Sequence, residues 1–117
     1  TGETLSKSAQ HLLQLALKAG FDGIEIDKVQ LPQARKDARD LVKLGKLIVL
    51  EDFLHYHRDI YEKAVGAILK GKNAGAVITI ADARAASGLS RKYIIPLLNV
   101  MEKNGKVRRE GNDRIVL

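Results

Sequence analysis

GLSRKYIIPLL, residues 88–98, decides how the second half of the chain folds. A glycine turn leads into Ser90, two positive charges and Tyr93, and then into an apolar run interrupted by Pro96. Serine ahead of a periodic apolar run is an N-cap signal, so a helix is expected over residues 90–104, stopped by Gly105. Ile94, Leu97, Leu98 and Met101 stand at i, i+3, i+4 and i+7 and make its core stripe. Lys92, Pro96, Asn99 and Lys103 are expected on the opposite face. A proline inside a helix removes a backbone donor and costs on the order of 3 kcal/mol, or bends the helix. On a solvent-facing side the freed carbonyl of Lys92 would turn to water.

Working outward, Thr79 with Asp82 three residues on fits a capping box that opens a short helix through Ala86. Residues 76–79 suit a short strand. Residues 59–70 place Ile60, Tyr61, Ala64, Val65, Ile68 and Leu69 on a broad helical face. Downstream, residues 106–110 and 113–117 form a hairpin about Gly111-Asn112. The first half follows the same order. Ala9, Leu12, Leu13 and Ala16 stripe a helix ended by Gly20; Asp22-Gly23 turns into a short strand over 24–26. A second helical pattern follows in two pieces around Pro32, the later one carrying Ala34, Ala38, Leu41 and Val42 and ending at Gly45. Residues 46–50 make a strand, Glu51-Asp52 a turn, and 53–56 a second apolar piece.

The two halves overlay at an offset of 60 residues, with Lys43-Leu44-Gly45-Lys46 on Lys103-Asn104-Gly105-Lys106. Helix, strand, helix, turn, helix and hairpin is the winged-helix arrangement. The expected architecture is therefore mainly α with small β-hairpin wings: two tandem winged-helix domains, residues 1–57 and 58–117.

The chain has 117 residues, 45% apolar and 29% charged, the balance of a soluble globular protein. It contains no cysteine, which excludes a disulfide framework or a cysteine-rich zinc site and suits a reducing, cytoplasmic setting. No apolar run approaches the roughly 20 residues of a membrane span. A start at Thr1 rather than methionine reads as a fragment of something longer. The net charge of +6 is unevenly placed. Residues 1–57 hold 8 basic and 8 acidic side chains, whereas residues 58–117 hold 12 and 6. A basic half joined to a neutral half suits a nucleic-acid-binding unit on a spacer or docking unit.

Within the basic half, the first turn of the Ser90 helix carries Arg91 and Lys92 beside unpaired amides, a match for phosphate. Those cations oppose the helix dipole by a few tenths of a kcal/mol, which a bound phosphate would relieve. Arg108, Arg109 and Arg114 flank the hairpin tip, either to meet an anion or to pair with Glu110 and Asp113. Arg84 is placed to reach phosphate, to pair with Asp82 or to stay solvated. Tyr93 is either a base-stacking residue or a core-edge tyrosine. With aromatics at only 4%, too few for a multi-base stacking platform, an extended single strand is not the expected ligand, and a structured hairpin stays open.

Residues 66–73 resemble a P-loop, but Asn73 replaces the magnesium-holding hydroxyl and the stretch continues a helix. His55 and His57 suit a linker or strand end better than a metal site. No nucleophile with a base and orienting partner is visible, so no catalytic residue and no cofactor are assigned.

The second-half set Gly88-Leu89-Ser90-Arg91-Lys92-Tyr93-Ile94-Ile95-Pro96-Leu97-Leu98, with Lys106-Val107-Arg108-Arg109 and Asp113-Arg114, resembles the C-terminal end of the bacterial selenocysteine-specific elongation factor, SelB type. Phe53-Leu54-His55-Tyr56-His57 resembles that family's junction between its last two winged helices. The resemblance implies a non-enzymatic module of a GTPase whose catalytic domain is elsewhere. It implies binding of the mRNA hairpin that recodes a stop codon, through Arg84, Ser90, Arg91, Lys92, Tyr93, Arg108, Arg109 and Arg114. The module is expected to be a monomer, with the ribosome and the rest of the factor as further partners. The competing reading is a DNA-binding winged-helix transcription regulator, which would normally dimerise on paired half-sites.

Overall fold

The computed structural model describes residues 5–51 and 54–117. Asp52 and Phe53, expected in the turn and at the start of the next apolar piece, lie outside the described residues. The chain divides into two compact units, Thr1–Tyr61 and Glu62–Leu117, and the division falls inside a helix, α3 (Arg58–Leu69).

In the first unit, the Ser6 hydroxyl oxygen accepts the Ala9 N–H and caps α1 (Lys7–Ala19), which buries Ala9, Leu12 and Ala16. β1 (Ile24–Glu25) precedes α2 (Ala34–Lys43), and between them stands one 3-10 turn, Ile26–Lys28. The expected helical piece before Pro32 is thus reduced to three residues. The chain is extended again at Val29, and Pro32 keeps Leu31 out of the α region ahead of α2. β2 (Leu47–Glu51) and β3 (Leu54–His57) complete an antiparallel sheet in the order β1-β3-β2. Ala38, Leu41 and Leu47 join the α1 stripe in one core. Asp37 is buried on the same helix with Oδ2 unpaired. His55 is buried in β3 opposite Val49, and His57 accepts the Asp59 N–H at Nδ1, 3.0 Å away, at the start of α3.

The second unit continues with β4 (Val77–Ile78), α4 (Ile80–Ser87), α5 (Arg91–Lys103), β5 (Val107–Glu110) and β6 (Asp113–Val116). Its antiparallel sheet runs β4-β6-β5, again with the last strand in the middle. Ile78, Ala83, Leu89, Ile94, Leu97, Leu98, Met101 and Val107 are buried. Residues 66–69 belong to α3, so the P-loop-like stretch does not follow a strand. Among the described residues, no helix is long and apolar enough to cross a membrane.

The same corner joins helix to hairpin in both units. Past α2, Gly45 takes φ 75°, its N–H bonds the Val42 carbonyl at 3.0 Å, and the Lys46 N–H reaches back to Leu41 at 2.9 Å. Past α5, Gly105 takes φ 76°, with its N–H on Glu102 at 3.1 Å and the Lys106 N–H on Met101 at 2.9 Å. This is the Schellman pattern, and its left-handed position favours glycine.

A second backbone constraint sits at Gly23, whose φ 65°, ψ −173° lies in a region open essentially to glycine alone. A Cβ there would stand 2.9 Å from the His55 carbonyl oxygen and from the ring of Tyr56. That ring is fully buried, and its hydroxyl donates to the Phe21 carbonyl at 2.6 Å. Gly23→Ala combines a forbidden backbone conformation with overpacking, and urea unfolding should register a loss of about 3 kcal/mol.

At the start of α4 the capping box is complete. Thr79 Oγ1 accepts the Asp82 N–H at 3.0 Å, and Asp82 Oδ2 accepts the Thr79 N–H at 3.2 Å. The Thr79 N–H first, and then its hydroxyl, hold the Asp82 carboxyl below its ordinary pKa. The carboxylate therefore stabilises the fold above the unfolded aspartate pKa of about 3.9, and that contribution is lost as pH falls through the lower folded value. Thr79→Ala should cost about 1 kcal/mol at neutral pH and less at pH 2, measured by thermal unfolding at both.

Candidate nucleic-acid interface

The turn between α4 and α5 is internally satisfied. Gly88 closes α4 at φ 77°, ψ 5°, and its N–H bonds the Arg84 carbonyl at 2.8 Å. The Ser87 hydroxyl donates to the Ala83 carbonyl at 2.7 Å and accepts the Leu89 N–H at 3.2 Å. Leu89 is buried, which anchors the chain just before the helix.

The first turn of α5 differs. Ser90 has the extended backbone of an N-cap, and its carbonyl accepts the N–H groups of Tyr93 and Ile94 at 3.1 and 3.0 Å. Its side chain, however, caps nothing, contrary to the expectation from sequence. No acidic residue lies in this turn. Among the described residues, the Arg91 and Lys92 amides have no acceptor, and Ser90, Arg91 and Lys92 are all exposed. The two helix starts of this unit are thus opposite in kind, α4 closed by its own side chains and α5 left open beneath two cations. An anion at α5 gains both the orphan N–H donors and the formal charge.

Behind that open turn, Ile94, Leu97, Leu98 and Met101 are completely buried and fix α5 in its unit. Pro96 is buried too, which corrects its expected place on the solvent side. Three consecutive buried residues at 96–98 widen the apolar face beyond a simple stripe. The helix nevertheless runs without interruption through the proline to Lys103.

The wing does not present its three arginines as one cluster. β5 and β6 pair Glu110 with Asp113 and Arg109 with Arg114 around the two-residue turn Gly111-Asn112. Arg108 forms an ion pair with Glu110. Arg109 remains exposed, with Nε donating to the Gly111 carbonyl at 3.1 Å. Arg114 turns inward and is only 3% exposed. Its Nη1 donates to the Asn112 and Asp113 carbonyls at 3.3 and 3.2 Å, and Nη2 to Asn99 Oδ1 at 3.3 Å, while Nε has no partner. Burial, and then the charge of Arg109, lower the pKa of this guanidinium; Glu102 and Asp113 pull it back. It stays protonated, as arginine does in proteins.

Arg114 therefore ties the wing tip to the middle of α5. Asn99 lies nine residues past Ser90, roughly 13 Å along the helix axis at 1.5 Å per residue. Asn99 was missed in sequence because nothing local links it to a residue 15 positions away.

Tyr93 is half-buried, with Lys92 Nζ over its ring, 5.4 Å from the centroid. Arg84 is exposed on α4 and forms no ion pair with Asp82.

Residues 71–116 match the family model described as elongation factor SelB, winged helix. No curated protein matches the chain significantly by sequence. Among solved structures, the chain is similar to the crystal structure of a bacterial selenocysteine-specific elongation factor EF-Sec, with a TM-score of 0.79 and 21% identity over 96% of this chain. It spans 18% of that protein's length. It is also similar to the mRNA-binding domain of elongation factor SelB from E. coli in complex with SECIS RNA, with a TM-score of 0.71 and 21% identity. That match covers 96% of this chain and 98% of the other. At this identity the two likenesses speak to fold. The family match runs from the segment before β4 through the last wing strand, so this part of the chain is similar to the winged helix of elongation factor SelB.

Proposed function

We propose that the chain is the RNA-holding C-terminal module of a selenocysteine-specific elongation factor, built of two tandem winged helices, residues 1–57 and 58–117. The second binds the selenocysteine-insertion hairpin of an mRNA in the cytoplasm. The first spaces it, or relays contact toward the ribosome and the rest of the factor. The observation that carries this reading is the α5 start, where exposed Arg91 and Lys92 stand over backbone N–H groups that no side chain or acidic residue satisfies. The likeness to an mRNA-binding domain in complex with SECIS RNA supports a hairpin as the source of the anion.

In this mechanism a stem phosphate seats on the Arg91 and Lys92 amides, with the Ser90 hydroxyl beside it and the Arg91 guanidinium neutralising its charge. Arg109 meets the backbone from the wing, and Arg84 extends the positive surface along α4. The exposed edge of Tyr93 offers a face for a loop base. Arg108, already paired with Glu110, contributes less unless RNA displaces that partner. Arg114 acts as a positioning residue that holds the wing against α5.

A titration at fixed salt with the stem-loop RNA, the matching DNA duplex and a scrambled hairpin tests the reading; equal affinity for all three would reject it. Arg91→Ala should lower the salt slope of hairpin binding by about 1 while leaving the unfolding temperature unchanged. Ser90→Ala should change stability by less than about 0.5 kcal/mol, since its hydroxyl caps nothing, yet weaken the RNA complex. Arg114→Ala should show the reverse priority, with a stability loss of about 2 kcal/mol detected before any change in salt slope.

A further inference from the structure

The first unit carries a feature that RNA binding by the second does not use. An open cleft of about 350 Å³ lies between α2 and the β2–β3 hairpin, lined by Ile26, Ala38, Val42, Val49 and His55, with Arg35, Arg39 and Lys43 along one side. The three cations are spaced i, i+4 and i+8, so each is rotated about 40° from the last and together they form a ridge beside the Ala38/Val42 stripe. Arg39 and Lys43 are exposed and form no ion pair among the described residues. The acidic Asp40 is on another side of α2, paired with Lys36 at 3.3 Å. Val49, 37% exposed, is one of the few large apolar side chains left at the surface.

The repeated architecture explains why this space is open. At the 60-residue offset, Arg39 and Val49 correspond to Asn99 and Arg109, and the strand partner of Val49 is His55 where that of Arg109 is Arg114. In the second unit the Arg114 guanidinium fills the space between helix and hairpin and bonds Asn99. In the first unit the strand residue is shorter, Arg39 stands outside, and half-buried Val42 and exposed Val49 leave apolar surface in the cleft above buried Ala38.

We propose that this cleft docks a short acidic segment of a partner protein, with an aliphatic side chain of that segment set on Val42 and Val49 and its carboxylates on Arg39 and Lys43. The apolar floor selects the occupant. A nucleic-acid backbone would use the cationic ridge alone and gain nothing from the floor, whereas a peptide with alternating acidic and aliphatic residues uses both. The cleft is lined entirely by residues of the first unit.

The test is an amide NMR titration of the whole 117-residue chain with a ten-residue peptide alternating glutamate and leucine. Three controls accompany it: the peptide with glycine for leucine, the peptide with lysine for glutamate, and a decauridylate. The glutamate–leucine peptide should shift the Ala38, Val42 and Val49 resonances below about 1 mM, and Arg39→Glu combined with Lys43→Glu should weaken it at least about tenfold. Val49→Ser should also weaken it while leaving affinity for an RNA hairpin unchanged. The proposal is overturned if the peptide causes no shift at that concentration, if the glycine control binds as tightly, or if decauridylate occupies the same residues more tightly than the peptide does.

Discussion

In each unit the carbonyl of a fully buried residue, Leu41 or Met101, receives the N–H of the lysine that follows a left-handed glycine. That bond fixes where the hairpin leaves the helix. The carbonyl of the same lysine then accepts an N–H from the far end of the hairpin, Lys46 from Arg58 and Lys106 from Leu117, each at 3.1 Å. Helix end, first strand and last strand are thereby joined through one residue, Lys46 or Lys106. The next inward residue, Leu47 or Val107, starts the strand inside the core. Because strand side chains alternate, this starting point determines which residues of the hairpin face the helix. Arg109 and Arg114 share a face in the second unit for that reason, and Val49 and His55 in the first.

The placement of arginine in the second unit follows from this register. Two like charges directly opposite on adjacent strands are unfavourable. The fold separates them by turning one guanidinium inward onto backbone carbonyls and Asn99 while the other stays in water. A buried cation is costly unless its donors are satisfied, and Arg114 places both terminal nitrogens on acceptors with only Nε left over. The result is a wing held to the helix by a polar clamp. Conformational freedom that would otherwise be lost on binding is removed in advance, which favours affinity for a structured ligand.

Much of this frame was legible in sequence because it rests on local signals. The stripes Ala9/Leu12/Ala16 and Ile94/Leu97/Leu98/Met101, the Thr79/Asp82 box, the glycine corners and the Gly111-Asn112 turn each fall within a few residues of chain. What escaped depended on distance or on competition. Ser90 occupies an N-cap position, but its carbonyl already serves two amides and its hydroxyl faces solvent, so residue type alone overstated the cap. Periodicity alone places Pro96 on the surface and residue type leaves Arg114 open between an anion contact and internal pairing, while packing and a bond across 15 residues take both inside. The short 3-10 turn at Ile26–Lys28 stands where a longer helical piece was expected, with Val29 already extended three residues before Pro32.

Duplication of a frame leaves each copy free at positions that the frame itself does not use. The corner residues are nearly interchangeable between units: Leu41 with Met101, Gly45 with Gly105, Lys46 with Lys106. Beyond the corner the chemistry diverges, with Asn99, Arg109 and Arg114 in one unit and Arg39, Val49 and His55 in the other. The same divergence separates the charge balance, since all of the excess positive charge lies in residues 58–117. A unit that needed only to support its neighbour would be expected to close the gap between helix and hairpin, because uncovered apolar surface stabilises nothing in isolation. The first unit keeps the gap and edges it with cations, so the two units present different chemistry at the same place in the frame.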